Sequence, residues 1–142
     1  MEIERLQFFM PMNPPTKTHQ EKRLGVTKKG RAYTYEDAEL KAVRMKLEAH
    51  LGKHSPAEPI EGAIHFITKW CFPITGEHLP GDWKTSKPDT DNLQKMLKDC
   101  MTKCKFWKDD AQVVSEVIQK FYSDVPGIFI VVQPLPTQND KE

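Results

Sequence analysis

The run IFIVV, residues 128–132, is apolar at every position, so a strand built from it has two buried faces and belongs in the middle of a sheet. A chain carrying such a segment must supply a neighbour on each edge. Residues 60–72 supply the clearest candidate. Ile60, Ile64, Phe66, Trp70 and Phe72 fall on one face, with Glu61, His65 and Lys69 on the other, and this alternation is that of a half-buried strand. His65 is read as a surface residue of that strand. Val113 to Tyr122 and Ile128 to Gln133 read as two strands joined by the turn SDVPG. The stretch Ile3 to Met10 has strand composition and is stopped by PMNPP, where Asn13-Pro14-Pro15 forms an extended turn.

Two stretches change the period from two to 3.6. The first helix is capped by Thr34, with Asp37 at the third position, and runs to about Leu51 on a stripe of Leu40, Val43, Leu47 and Leu51, with Gly52 as its stop. The second runs from about Asn92 to Lys103. Leu93, Met96, Leu97, Cys100 and Cys104 make its buried side, while Lys95, Lys98 and Asp99 lie outside that stripe. The sum is an α+β domain, two helices packed on a small mixed β-sheet of four or five strands.

At 142 residues the chain is most simply one domain, residues 1–135, followed by a disordered tail at 136–142. No apolar run reaches the roughly 20 residues a bilayer span needs, and MEIERLQFF lacks a signal pattern, so the expected location is cytoplasmic, without a membrane partner. Cys71, Cys100 and Cys104 include no C-x-x-C pair and read as small buried hydrophobes. The loop from Pro73 to Ser86 is long and rich in Pro and Gly, and such loops tend to be functional or disordered.

The net charge of +1 conceals an uneven distribution. Residues 17–31 hold six Lys or Arg, namely Lys17, Lys22, Arg23, Lys28, Lys29 and Arg31, against one Glu. A basic face on a neutral protein is compatible with a polyanionic partner, and basic loops are also commonly just solvated. The acids of KPDTDNLQKMLKDCMTKCKFWKDD, residues 87–110, cluster at its two ends, Asp89 and Asp91 at the start, Asp109 and Asp110 at the close.

Asp91 suits the N-cap of the second helix, with Gln94 three residues on, and one such cap is ordinary. Asp89 precedes it in a segment that Pro88 makes extended, where the side chains of a D-x-D point the same way and can share a cation. A helix of about 12 residues is roughly 18 Å long, so Asp110 approaches the first pair only if KCKFWKDD turns hard, which the spacing leaves open. If the clusters meet, oxygen donors without His or Cys suit Mg²⁺ or Mn²⁺, which activate water and neutralise charge at a phosphodiester. Lys95, one turn into the helix, would then steady the phosphate or the leaving oxygen.

KPDTDNLQKMLKD followed by FWKDDAQVV resembles the RusA-type Holliday junction resolvases, small homodimeric endonucleases of bacteria and their prophages. The shared pattern is Pro-Asp-x-Asp-Asn, then Lys95, a helix, a hydrophobic pair, Asp-Asp-x-Gln and a strand. It covers about a quarter of the chain, from Lys87 to about Tyr122, and PMNPP adds a weaker match. The resemblance implies that Asp89, Asp91 and Asp110 are catalytic, metal-binding carboxylates, that Lys95 is the active-site lysine, and that Asp109 is a neighbouring acid. It implies that the basic segment 17–31 and Lys87 contact DNA backbone, and that a homodimer makes paired, metal-dependent nicks in a four-way junction of matching two-fold symmetry. Lys87 stands where Arg is common in the family, which weakens bidentate phosphate contact. The competing class is a module that binds branched DNA without cutting it.

Overall fold

The structure, a computed structural model, describes residues 5–18, 22–26, 32–36 and 38–137. Six strands and two helices follow in the order β1 (Leu6–Pro11), β2 (Lys22–Val26), β3 (Ala32–Glu36), α1 (Ala38–Leu51), β4 (Ile64–Pro73), α2 (Thr90–Lys103), β5 (Val113–Ser123) and β6 (Gly127–Pro134). Four strands make one sheet in the order β1-β6-β4-β5, and β2 and β3 form a separate hairpin.

The apolar run 128–132 occupies the place its composition requires. β6 lies antiparallel to β1 on one side and to β4 on the other, with Phe129 opposite both Phe9 and Lys69. Only β4 and β5 run parallel, so α2 serves as the crossover between them. The sheet is therefore mixed, and the α+β expectation stands.

Alternation along β4 separates two environments. Ile64, Phe66, Thr68, Trp70 and Phe72 are buried on the side that meets Leu40, Leu47 and Leu51 of α1 and Leu93, Met96, Leu97 and Cys100 of α2. Val43 packs against this core from its margin. On the other face His65, Ile67, Lys69 and Cys71 alternate in register with Ser115, Val117, Gln119 and Phe121 of β5. His65 bonds Ser115 Oγ there at 2.8 Å, as a surface residue of the strand.

The start of α1 corrects the sequence reading. Thr34 does not cap the helix, because it lies in β3 opposite Leu24 of β2, and α1 begins at Ala38; Asp37 lies outside the described residues. The run AYTYE favours a strand, and cross-strand pairing claimed the threonine before the helix could. The three cysteines are free; Cys71 and Cys100 are buried, and Cys100 and Cys104 point their thiols at the Arg44 and Glu48 carbonyls of α1.

The loop after β4 is fastened to the sheet. Gly81 N–H donates to the Tyr122 carbonyl at 2.8 Å, Tyr122 N–H to the Asp82 carbonyl at 2.9 Å and Lys84 N–H to the Lys120 carbonyl at 3.1 Å, so this stretch lies along the outer edge of β5. The His78 ring stacks on Tyr122 at 4.2 Å between centroids.

Candidate functional site

α2 begins at Thr90, with Asp89 at the N-cap in extended conformation and no capping bond from its side chain. The expectation that Asp91 is the cap is thus corrected. Asp91 sits inside the first turn, so it shares no extended D-x-D with Asp89. Neither carboxylate is spent on capping, and both stand at the positive end of the helix dipole.

One cleft of about 410 Å³ runs along this helix, lined by Asp91, Asn92, Gln94, Lys95 and Lys98 of α2, and by Asp110, Glu116 and Ile118. Residues 91, 94, 95 and 98 form a stripe at i, i+3, i+4 and i+7, covering about 10 Å of helix at 1.5 Å per residue. Lys98 is held by Glu116 at 2.8 Å across the cleft. Lys95, by contrast, makes no ion pair or hydrogen bond among the described residues, and its ammonium is available to an anion.

Asp110 reaches this cleft because the chain turns hard after α2. Phe106 N–H donates to the Met101 carbonyl at 3.1 Å and Lys105 N–H to the Thr102 carbonyl at 3.0 Å, the bond pair of a Schellman closure. Lys105 takes the left-handed position, φ 64°, that glycine commonly fills. The buried pair Phe106 and Trp107 then locks the turn, with Trp107 Nε1–H donating to Thr102 Oγ1 at 2.7 Å.

The two acids of the second cluster divide their labour. Asp109 caps a single 3₁₀ turn, Asp110–Gln112, accepting from Ala111 N–H at 2.9 Å while the Gln112 side chain accepts from Asp109 N–H. Gln112 Nε2 also donates to the Ile60 and Gly62 carbonyls. Asp109 therefore has a structural task, and Asp110 is the one that opens onto the cleft.

Asp89 faces elsewhere. With Thr16, Lys17, Thr18, Lys87, Pro88 and Asn92 it lines a second cleft of about 360 Å³, and Asn92 borders both. The Lys87–Pro88 peptide bond is cis. Lys17 lines this second cleft while pairing with Glu39 at 3.2 Å. Lys22 and Arg23 fall in β2; Lys28, Lys29 and Arg31 lie outside the described residues.

Glu116, Gln94 and Thr68 escaped the sequence reading. Glu116 looks like any polar residue of an edge strand. Gln94 looks like a surface residue of α2, yet it is 2% exposed. Its Oε1 accepts from Thr68 Oγ1 at 2.7 Å, and Thr68 accepts in turn from Trp70 Nε1–H at 3.1 Å. Indole N–H can only donate, so Thr68 must pass its one proton to Gln94, which fixes the amide with Nε2 turned away. The only sequence signal was a polar residue, Thr68, in the apolar phase of β4.

Among the described residues no three His, Cys, Asp or Glu side chains come close enough to hold a metal by themselves. A hard divalent cation does not require that. Mg²⁺ keeps several waters and binds through one or two carboxylates together with substrate phosphates. Asp91 and Asp110, in a wall that also holds Asn92 and has no His or Cys, fit such an ion.

A mixed sheet covered by two helices on one face, with acids and a lysine in a cleft beside the crossover helix, defines a small α+β protein. The family described as Endodeoxyribonuclease RusA matches residues 11–133, and the chain belongs to that family. A stretch of 70 residues is 39% identical to a protein named Crossover junction endodeoxyribonuclease rusA from Lactococcus phage r1t, covering 48% of this chain and 53% of the phage protein, about half its length. Uncharacterized protein YqaN of Bacillus subtilis (strain 168) is 26% identical over 120 residues, 77% of this chain and 84% of that protein.

Proposed function

We propose that this chain is a structure-specific endonuclease that resolves four-way DNA junctions by paired, Mg²⁺- or Mn²⁺-dependent hydrolysis of phosphodiester bonds. The observation that carries this reading is the single cleft onto which Asp91, Asp110 and Lys95, which is unpaired among the described residues, open. Asp91 and Asp110 would hold the divalent ion, and Asp89 is the third carboxylate assigned to it. When bound, that ion supplies Lewis-acid neutralisation of the phosphate and a water of lowered pKa. The Lys95 ammonium stands along the same wall and offsets charge that grows on the phosphate oxygens as the bond breaks. Lys17 and Lys87, together with Lys22, Arg23, Lys28, Lys29 and Arg31 of the basic segment 17–31, are assigned to the DNA backbone, which such contacts position without reading sequence.

A four-way junction has approximate two-fold symmetry, so two like nicks call for a homodimer with one site in each subunit. Both helices lie on one face of the sheet, and the opposite face carries Phe9, Ile67, Val117, Phe121 and Phe129 in register across all four strands. That face is where a second copy would pack.

The test is cleavage of a synthetic four-way junction beside linear duplex, in Mg²⁺, Mn²⁺ or EDTA, with wild type and Asp91→Asn. Paired nicks in the junction alone, lost in EDTA and in the variant while binding persists, are the expected result. Binding without nicks by the wild type would replace this reading with a non-cleaving junction-binding module.

A further inference from the structure

Lys120 of β5 uses its ammonium in a way that no surface role requires. Its Nζ donates to the Ser86 carbonyl at 2.8 Å and to the Pro88 carbonyl at 2.7 Å, the two carbonyls that flank Lys87 just before Asp89. Neighbouring residues hold the same segment. Lys84 donates from Nζ to Ser86 Oγ at 2.7 Å, and its N–H donates to the Lys120 carbonyl. Glu116 and Ile118, preceding Lys120 on that face, line the cleft of Asp91 and Asp110. The helix-facing row of β5 thus runs from the acid cleft to the turn that presents Asp89.

We infer that Lys120 is the positioning residue for Asp89: by clamping the Ser86 and Pro88 carbonyls it sets the turn from which that carboxylate is offered to the site. The need for such a clamp follows from the geometry at the head of α2. Asp89 is the N-cap, yet its side chain makes no capping bond, so the helix does not orient it. The backbone before it belongs to a loop rather than an element. The segment 86–88 has no strand partner there, and its carbonyls find the Lys120 ammonium instead.

Electrostatics supports the assignment. Burial, with Lys84 nearby, pulls the Lys120 pKa below that of an ordinary lysine, while Asp89 and Tyr122 work to raise it. An ammonium that is partly desolvated in order to bond two carbonyls is an expensive way to close a loop. It is a reasonable way to close one that must also keep an anion in place. The inference rests on the reading of Asp89 as a site carboxylate.

Hydrogen exchange of the metal-free protein and the Mg²⁺ dependence of junction cleavage, for wild type and Lys120→Met, test it together. Methionine keeps the length and apolar stem and removes the donors. The expected result is faster exchange confined to residues 86–93, where Leu93 N–H bonds the Asp89 carbonyl, with the far end of α2 at Cys104 protected as in wild type. The Mg²⁺ concentration for half-maximal cleavage should rise on the order of tenfold or more, the usual effect of losing a partner that orients a metal ligand. Unchanged exchange at 86–93, or faster exchange across the whole of α2, overturns the inference. So does local loosening with an unchanged Mg²⁺ dependence, which would leave Lys120 a structural contact only. A wild-type protein that does not cut junctions would fail the proposed function instead, and the exchange arm would still report whether Lys120 clamps the turn.

Discussion

Asp91 and Asp110 line one cleft although the whole of α2 separates them in the chain. Asp89, only two residues from Asp91, opens onto a different one. Proximity in sequence and proximity in the site are thus inverted. The cause is local: Asp91 rides inside the first helical turn, which swings its side chain away from that of the N-cap residue, and the Schellman closure at Lys105 redirects the chain so that Asp110 returns.

The two adjacent acids Asp109 and Asp110 should separate cleanly under mutation. Asp110→Asn removes a cleft carboxylate and should abolish metal-dependent cleavage while leaving thermal stability near that of wild type. Asp109→Ala removes a cap and should cost about 1 kcal/mol of stability while cleavage by the folded protein persists. Asp109→Asn, which caps as well as aspartate, should be close to neutral in both. Equal losses of cleavage in the Asp109 and Asp110 variants, measured at matched folded fraction, would contradict the division.

Lys95→Met should lower kcat on the order of 10²-fold with little change in junction affinity, because its charge acts most strongly on the oxygens that gain charge in the transition state. Lys87→Gln should do the reverse, weakening binding and reducing the slope of log K against log salt by about one. Single-turnover cleavage and salt titrations of binding distinguish the two. A Lys95 variant that loses affinity and keeps kcat would move that lysine from the chemistry to the backbone contacts.

Gly127 lies where β6 meets both β1 and β4, paired with Pro11 and Cys71. A Cβ there would come to 2.6 Å from the Met10 carbonyl oxygen and collide with the Phe9 ring. Gly127→Ala should therefore destabilise by about 1–3 kcal/mol or more, through a forced shift of β1. Urea denaturation of the variant is the measurement, and a midpoint equal to that of wild type would show that β1 yields without cost.

Burial, reinforced by Glu48, pushes the Cys100 thiol from an ordinary 9.0 up to about 12. The folded state then holds this proton more tightly than the unfolded chain does. Its contribution is complete below pH 9 and is lost as pH rises from there towards about 12. Denaturation midpoints should fall over that alkaline window, and less steeply in Cys100→Ala. The native thiol should also resist alkylation at neutral pH, since the thiolate is the nucleophile. Rapid labelling of Cys100 in the folded protein would refute the assignment.

What the sequence by itself determined is what short-range chemistry fixes. The apolar run 128–132 had to be central, the alternation through 64–72 had to put one face inward, and the stripe Leu93, Met96, Leu97, Cys100 had to pack. Those patterns repeat over many residues, and burying them outweighs any single local preference. The motif at each end of α2 was legible for the same reason, as residue types at fixed spacing. The tertiary structure decided the rest. It placed Asp89 rather than Asp91 at the N-cap, gave Thr34 to a strand, made Asp109 a cap and Asp110 a cleft acid, and brought Glu116, Gln94 and Lys120 to the site from positions that look unremarkable in sequence. Each of these choices turns on a difference of about one hydrogen bond between competing local arrangements. So small a margin is set by which distant chain packs alongside, and that is not written in the residues nearby.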